Sequence, residues 1–241
     1  MKLYGKNPVV ERLKSNPQSI KKIFLSENFS DAGYIYAKAK KSGIPVFSIP
    51  RSQMLKLGRS NNTQGILVEV DDFIYVDYAD LLSQARKKND TILFLDNLND
   101  PQNLGAIIRS VACLGGFSIV LPIKDSVEVT EAVLRVASGG DNYVSIAKVT
   151  NLNYAISLAK EAGFWIAGAV IEQGKNLVQT DLSFPLALVV GSEQKGIREI
   201  IKKQLDLALT IPMSHPKLPL NVAQATTLFC YEIKKQKNKK S

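Results

Sequence analysis

Apolar positions change their period many times along this chain, and each change marks an element. From Thr91 onward, short continuous apolar runs (Ile92–Leu95, Phe117–Leu121, Phe164–Ile171, Leu186–Val190, Leu207–Met213) alternate with stretches of helical spacing. Those helical stretches run through Ala106, Ile107, Val111 and Leu114, then over Thr130–Ala137, Leu152–Ala162, Ile197–Gln204 and Asn221–Lys235. Uninterrupted apolar strands are buried on both faces, so the alternation predicts a parallel sheet clothed by helices on either side. Before Thr91 the pattern is that of a smaller α/β unit. A helix opens at Asn7-Pro8 with Asn7 as its cap, and strands follow at Ile23–Leu25, Ile44–Phe47 and Gly65–Val70. Helical spacing covers Ala32–Lys41 and a turn at Ser52–Leu57. The polar break Lys87-Lys88-Asn89-Asp90 ends a further helical pattern. The division expected is a domain over residues 1–73, a linker over 74–90, a second domain over 91–235 and a tail over 236–241.

Composition narrows the function classes. The 241 residues include two cysteines and one histidine, too few for a disulfide framework, a four-ligand zinc site or a His-rich metal centre. No apolar run approaches the ~18 residues of a membrane span, and Met1–Pro8 lacks the apolar core of a secretory signal. A cytoplasmic protein is expected. The formal charge of +9 is unevenly placed. Residues 1–73 carry 12 basic and 6 acidic side chains, residues 91–233 carry 11 and 13, and the last eight residues hold five lysines and no acid. An anionic partner is expected at the ends of the chain, nucleic acid first.

Neither a Gly-x-Gly-x-x-Gly after a strand nor a Walker loop is present, so dinucleotide and ATP chemistry lack support. His215 falls in a proline-rich loop with no evident partner, and Cys113 reads as a small apolar residue on the inward face of a helix. Three polar clusters fall at the carboxyl ends of strands, where open parallel sheets bind ligands. The first is Asp96–Gly105 with Arg109 on the helix that follows, a helix that Asn103 itself could cap. The second is Gly191-Ser192-Glu193, where glycine permits close backbone approach and Ser192 could open a helix. The third joins Ile211-Pro212-Met213 to Leu220-Asn221-Val222-Ala223, with Asn221 as a further candidate cap. Each has a purely structural explanation; their combined order and spacing do not.

In that order the chain resembles the SpoU family of RNA ribose 2′-O-methyltransferases, within the SPOUT superfamily. Asn97–Ser110, Leu188–Gly196, and Ile211–Met213 with Leu220–Ala223 are similar to its three motifs. Gly5-Lys6-Asn7-Pro8-Val9 and Thr63–Leu67 resemble the L30e-like substrate-binding domain of the 23S rRNA guanosine methylase branch. The resemblance implies a C-terminal parallel-sheet α/β domain with a trefoil knot, preceded by a smaller L30e-like α/β domain. It implies S-adenosylmethionine as methyl donor, held largely by backbone at Gly191, Ile211, Met213 and Leu220, and no metal. It implies an RNA substrate, rRNA first and tRNA as the alternative, and a homodimer whose active site is completed across the interface. Arg109 would serve catalysis by binding a phosphate and acting on the 2′-hydroxyl, with Asn103, Glu193 and Asn221 orienting the site. One departure stands out: Pro219 occupies the place of a family serine. It raises a different class of function, a non-catalytic RNA-binding protein on the same scaffold.

Overall fold

The computed structural model describes residues 1–58, 63–215, 218 and 220–240. In chain order its elements begin β1 (Lys2–Tyr4), α1 (Lys6–Ser15), β2 (Ile20–Ser26), α2 (Ala32–Lys41), β3 (Val46–Ile49), α3 (Arg51–Gly58) and β4 (Ile66–Val70). They continue with α4 (Tyr78–Lys88), β5 (Thr91–Asp96), α5 (Pro101–Leu114), β6 (Phe117–Pro122), α6 (Glu131–Ala137) and β7 (Ile146–Val149). The remainder are α7 (Leu152–Glu161), β8 (Trp165–Ala169), β9 (Lys175–Asn176), β10 (Leu186–Gly191), α8 (Glu199–Lys202), β11 (Leu207–Thr210) and α9 (Val222–Lys240). Two compact units result: residues 1–74 with 129–143, and residues 75–128 with 144–241.

The first unit is a four-stranded sheet in the order β1-β4-β2-β3, antiparallel except for the parallel β2–β3 pair. Its first helix is capped by Gly5 and not by Asn7. Gly5 takes φ 97°, a region only glycine enters without strain. The orphan N–H groups of this helix start find other acceptors: Gly5 N–H donates to the Ile66 carbonyl at 3.3 Å and Lys6 N–H to Gln64 Oε1 at 2.8 Å. The two N-terminal motifs therefore meet. Residues 129–143 also belong to this unit, which the expected boundary at residue 73 did not foresee. Val133, Leu134 and Ala137 of α6 are buried, and α6 packs on β1 and α1. The buried Arg12 guanidinium donates to the buried Asp141 carboxylate, and Tyr143 donates to Glu11. Burial pushes the Asp141 carboxyl up against the lowering influence of Arg12.

The second unit holds a seven-stranded, all-parallel sheet in the order β7-β6-β5-β10-β8-β11-β9. Every residue of β5 and β6 is buried, so both sheet faces are covered. Helices α4 and α7 share one core with Ile92, Phe94, Val120, Ile166 and Val189. Helices α5 and α9 pack on each other and cover the other face, α5 against β6 and α9 against β10. Strand β7 was not expected, because its half-exposed Ile-Ala-Lys-Val pattern is weak at a sheet edge. The stretch 74–90 is no bare linker. Asp77 Oδ1 caps α4 by accepting from Ala79 N–H at 2.8 Å, and Leu81 and Ala85 enter the core. Nor do residues 236–240 form a separate tail, since α9 runs through them. Gln236 donates to the Thr180 carbonyl at 3.1 Å, Lys237 to the Asn89 carbonyl, and Lys240 to the Leu182 carbonyl at 2.7 Å. Long lysine stems lie along the protein while their ammonium groups cap carbonyls.

Candidate active site

Strands β6, β5 and β10 are neighbours, and the loops leaving their carboxyl ends build the site. After β5 the chain turns at Asp100, whose Oδ1 accepts from Gln102 N–H at 2.9 Å and caps α5. The cap is thus Asp100, not Asn103. With the cap supplied, Asn103 is free to point inward from the first turn, where it is only 6% exposed. Its Nδ2 donates to Glu193 Oε1 at 3.2 Å, and its Oδ1 accepts from Asn221 Nδ2 at 2.9 Å. Asn221 Nδ2 also donates to Glu193 Oε1 at 2.8 Å, and Val222 N–H adds a third donor to that oxygen at 3.2 Å. Asn221 Oδ1 meanwhile accepts from Ala223 N–H at 2.9 Å, capping α9. One residue from each of the three sequence clusters is thereby tied into a single network.

Gly191 has a different reason for being glycine from the one its position suggested. A Cβ there would lie 2.1 Å from the Gly196 carbonyl carbon and 2.3 Å from the Ile197 nitrogen. The close approach is made by the chain's own turn, which Gly196 N–H closes on the Ser192 carbonyl at 2.8 Å. Ser192 opens this turn and not a helix, because α8 begins only at Glu199.

Arg109 stands apart from the network. It lies on the exposed side of α5, six residues beyond Asn103 and so about 9 Å along the axis. It makes no hydrogen bond or ion pair among the described residues, so none of them orients it. Cys113, one turn further on, is exposed and not inward-facing, whereas Cys230 on α9 is buried. His215 is exposed, as its loop suggested. Ile211, Met213 and Leu220 are half-buried, and their main-chain N–H groups donate to nothing among the described residues. Such free donors beside partly buried apolar side chains suit a ligand held through backbone groups. Pro219 lies outside the described residues.

A cleft of roughly 620 Å³ opens beside the network, lined on the α5 side by Asn97, Asp100 and Asn103 and on the β10 side by Glu193, Lys195 and Arg198. Asp96 fell inside the first polar cluster of the sequence with no role of its own, yet it anchors Arg198, which lines the cleft. Asp96 ends the apolar run of β5 and is fully buried. A buried carboxylate must be paired, and Asp96 accepts from Arg198 N–H at 2.9 Å and Arg198 Nε at 2.8 Å. The usable signal was an acid closing a strand with no other polar side chain after Thr91. No cluster of metal-ligating side chains occurs among the described residues, and no described helix is long and apolar enough to cross a membrane.

Residues 90–231 match the SpoU rRNA methylase family, and residues 2–76 match the RNA 2′-O ribose methyltransferase substrate-binding family. A TrmH-family tRNA/rRNA methyltransferase of Bacillus subtilis is 33% identical over 238 residues, covering 97% of this chain and 95% of that protein. The 23S rRNA (guanosine-2′-O-)-methyltransferase RlmB of Coxiella burnetii is 32% identical over 239 residues, covering 98% and 95%. Among solved structures, an AdoMet-bound rRNA methyltransferase from Sinorhizobium meliloti shares the fold with a TM-score of 0.80 at 22% identity, over 97% of this chain and 86% of that one.

Proposed function

The chain belongs to the SpoU rRNA methylase family of RNA methyltransferases, and on that premise we propose that it methylates the ribose 2′-hydroxyl of a guanosine in 23S rRNA. The observation that carries this reading is the Asn103–Glu193–Asn221 network, which ties one residue from each of the three motifs together at the strand ends, beside the cleft. The name of the Coxiella relative supports the guanosine target. When bound, S-adenosylmethionine supplies an electrophilic methyl on a sulfonium centre. Gly191, Ile211, Met213 and Leu220 would hold it, the last three through main-chain N–H groups that donate to none of the described residues.

The chain's own task is alignment. A 2′-hydroxyl is a weak nucleophile at neutral pH and must surrender its proton as it attacks. Holding it in line with the methyl group supplies much of the acceleration. Glu193 spends Oε1 on three N–H donors, while its Oε2 has no partner among the described residues and is available to the ribose. Asn103, almost wholly buried at the cleft wall, acts as a positioning residue by holding Glu193. Arg109 binds the phosphate next to the target ribose, since a guanidinium keeps its proton too firmly to serve readily as a base. Since Arg109 sits outside the network, it acts most readily across a homodimer formed through α5 and α9. That face exposes Leu228 and Tyr231 as well as Arg109 and Cys113. Residues 1–73, with most of the excess charge of the structured chain, capture RNA in the cytoplasm.

Incubation with labelled S-adenosylmethionine and separate rRNA and tRNA pools, then mass spectrometry of the nucleosides, tests the proposal. The expected product is 2′-O-methylguanosine from 23S rRNA. Label appearing only in tRNA would move the target to the alternative substrate. No transfer to any pool, despite cofactor binding, would favour the non-catalytic reading that Pro219 raised.

A further inference from the structure

The cleft beside the network holds groups that alignment of a ribose does not use. Arg198 commits its main-chain N–H and its Nε to the buried Asp96, which fixes the plane of the guanidinium. Its two terminal nitrogens have no partner among the described residues, and the side chain is 42% exposed in the cleft. Five fixed donors in a planar fork make such an arginine a recognition element, not a general counter-charge. Asp125 lines the same cleft from the loop after β6, also without a partner among the described residues. That loop is pinned to the one after β5, since Val127 N–H at 2.7 Å and Ser126 Oγ at 3.2 Å both donate to the Leu98 carbonyl. Asp125 itself sits at φ 57°, a conformation aspartate tolerates better than most residues.

Charge decides what the cleft can take. It is lined by three carboxylates (Asp100, Asp125, Glu193) against two cations (Lys195, Arg198), a poor balance for a phosphate. Mixed donors and acceptors suit the edges of a base. We propose that the cleft is a guanine-recognition subsite, with the terminal nitrogens of Arg198 on O6 and N7 and the Asp125 carboxylate on N1–H and the N2 amino group. Guanine carries two adjacent acceptors on one edge and two adjacent donors on the next. Arginine pairs with the former and a two-oxygen carboxylate with the latter. β6 and β10 flank β5 in the sheet, so the loops bearing Asp125 and Arg198 spring from strands about 9.6 Å apart, room for a two-ring base between them. Adenine would turn its amino group toward the guanidinium and leave Asp125 unpaired, which a hydrogen-bonding pocket rejects strongly. The ribose of the bound nucleotide then lies toward Asn103 and Glu193, which line the same cleft. This inference rests on the RNA methyl-transfer reading and adds the choice of base to it.

Calorimetric titration of the full-length protein with GMP, IMP and AMP tests the subsite. GMP should bind at least about tenfold more tightly than AMP, the scale of one good bidentate pair, with IMP between them because it lacks the N2 amino group. Asp125→Asn should erase the preference for GMP over IMP, and Arg198→Gln should reduce the preference for GMP over AMP to what Asp125 alone confers, with S-adenosylmethionine binding unchanged in both. Because Arg198→Gln strands the buried Asp96, the double variant Asp96→Asn/Arg198→Gln repeats the measurement without a buried charge. Equal binding of GMP and AMP by the unaltered protein, or unaltered ratios in folded variants, would overturn the proposal. Methyl transfer to RNA is read separately. Its absence alongside an intact GMP preference defeats the methyl-transfer reading and not the subsite, whereas transfer to a nucleoside other than guanosine defeats the subsite and the guanosine target while leaving RNA methyl transfer standing.

Discussion

Glu193 presses one carboxylate oxygen against three N–H donors, from Asn103, Asn221 and Val222. Removing that acceptor leaves the buried Asn103 amide without its acceptor, a cost of about 1–3 kcal/mol. Glu193→Ala should therefore lower both the melting temperature and turnover. Glu193→Gln keeps an acceptor oxygen and should recover most of the thermal stability while turnover stays low, a split that calorimetric melting and initial rates would show. Arg109 predicts the opposite pattern. It has no partner among the described residues, so Arg109→Ala should leave melting and S-adenosylmethionine affinity unchanged and abolish methyl transfer. Retained turnover would remove Arg109 from the mechanism. At this scale the sequence was informative about which residues matter and poor about why. Asn103 and Asn221 were each legible as helix caps, and only Asn221 caps. Gly191 was legible as a close-approach glycine, but the approaching group is the backbone of its own turn.

Among the elements, α6 shows how far a segment's place can depart from its position in the chain. Its residues fall inside the stretch that matches the methylase family, yet they pack with β1 and α1 in the N-terminal unit. A cut at residue 73 would strip α6 of those partners and is no clean test of the N-terminal segment. The Arg12–Asp141 pair within this unit makes a sharper prediction. Breaking a buried pair from one side strands a charge, so Arg12→Leu should destabilise by about 3–5 kcal/mol, while Arg12→Leu with Asp141→Leu should cost far less. Chemical denaturation of the four proteins of the cycle would measure this. Asp141 also sets a pH dependence. Its folded pKa is raised above the ordinary 3.8 by burial, so the folded state binds more protons between the two values. Its contribution is full below the unfolded value and is lost as pH rises through the folded one. Asp141→Asn should flatten that part of the stability profile, and an unchanged profile would show that the group titrates normally.

For the whole molecule, two tests reach beyond single elements. Lys38, Lys40 and Lys41 crowd the last turn of α2 in the basic N-terminal unit. Replacing all three with Gln should reduce the slope of log affinity against log salt for RNA by about 2, since each phosphate contact contributes ~0.7–0.9. An unchanged slope would place RNA capture elsewhere. Cys113 reports on self-association, because it is exposed on the α5 face while burial pushes the Cys230 thiol up and leaves it inert. Maleimide labelling of Cys113 should slow as protein concentration rises; a constant rate would count against a dimer through this face. The alternation of apolar runs and helical spacing determined a parallel α/β architecture without help from tertiary structure, because strands buried on both faces leave no polar alternation. The motif order likewise determined the family and brought Asn103, Glu193 and Asn221 forward together. Tertiary structure alone decided that the lysine-rich end is a docked helix, that residues 129–143 join the N-terminal unit, and that Asp96 holds Arg198 over the cleft. Each of these depends on contacts between residues about 50 to 130 positions apart in the chain. Local propensity carries no record of such pairings; they exist only where burial makes a partner obligatory.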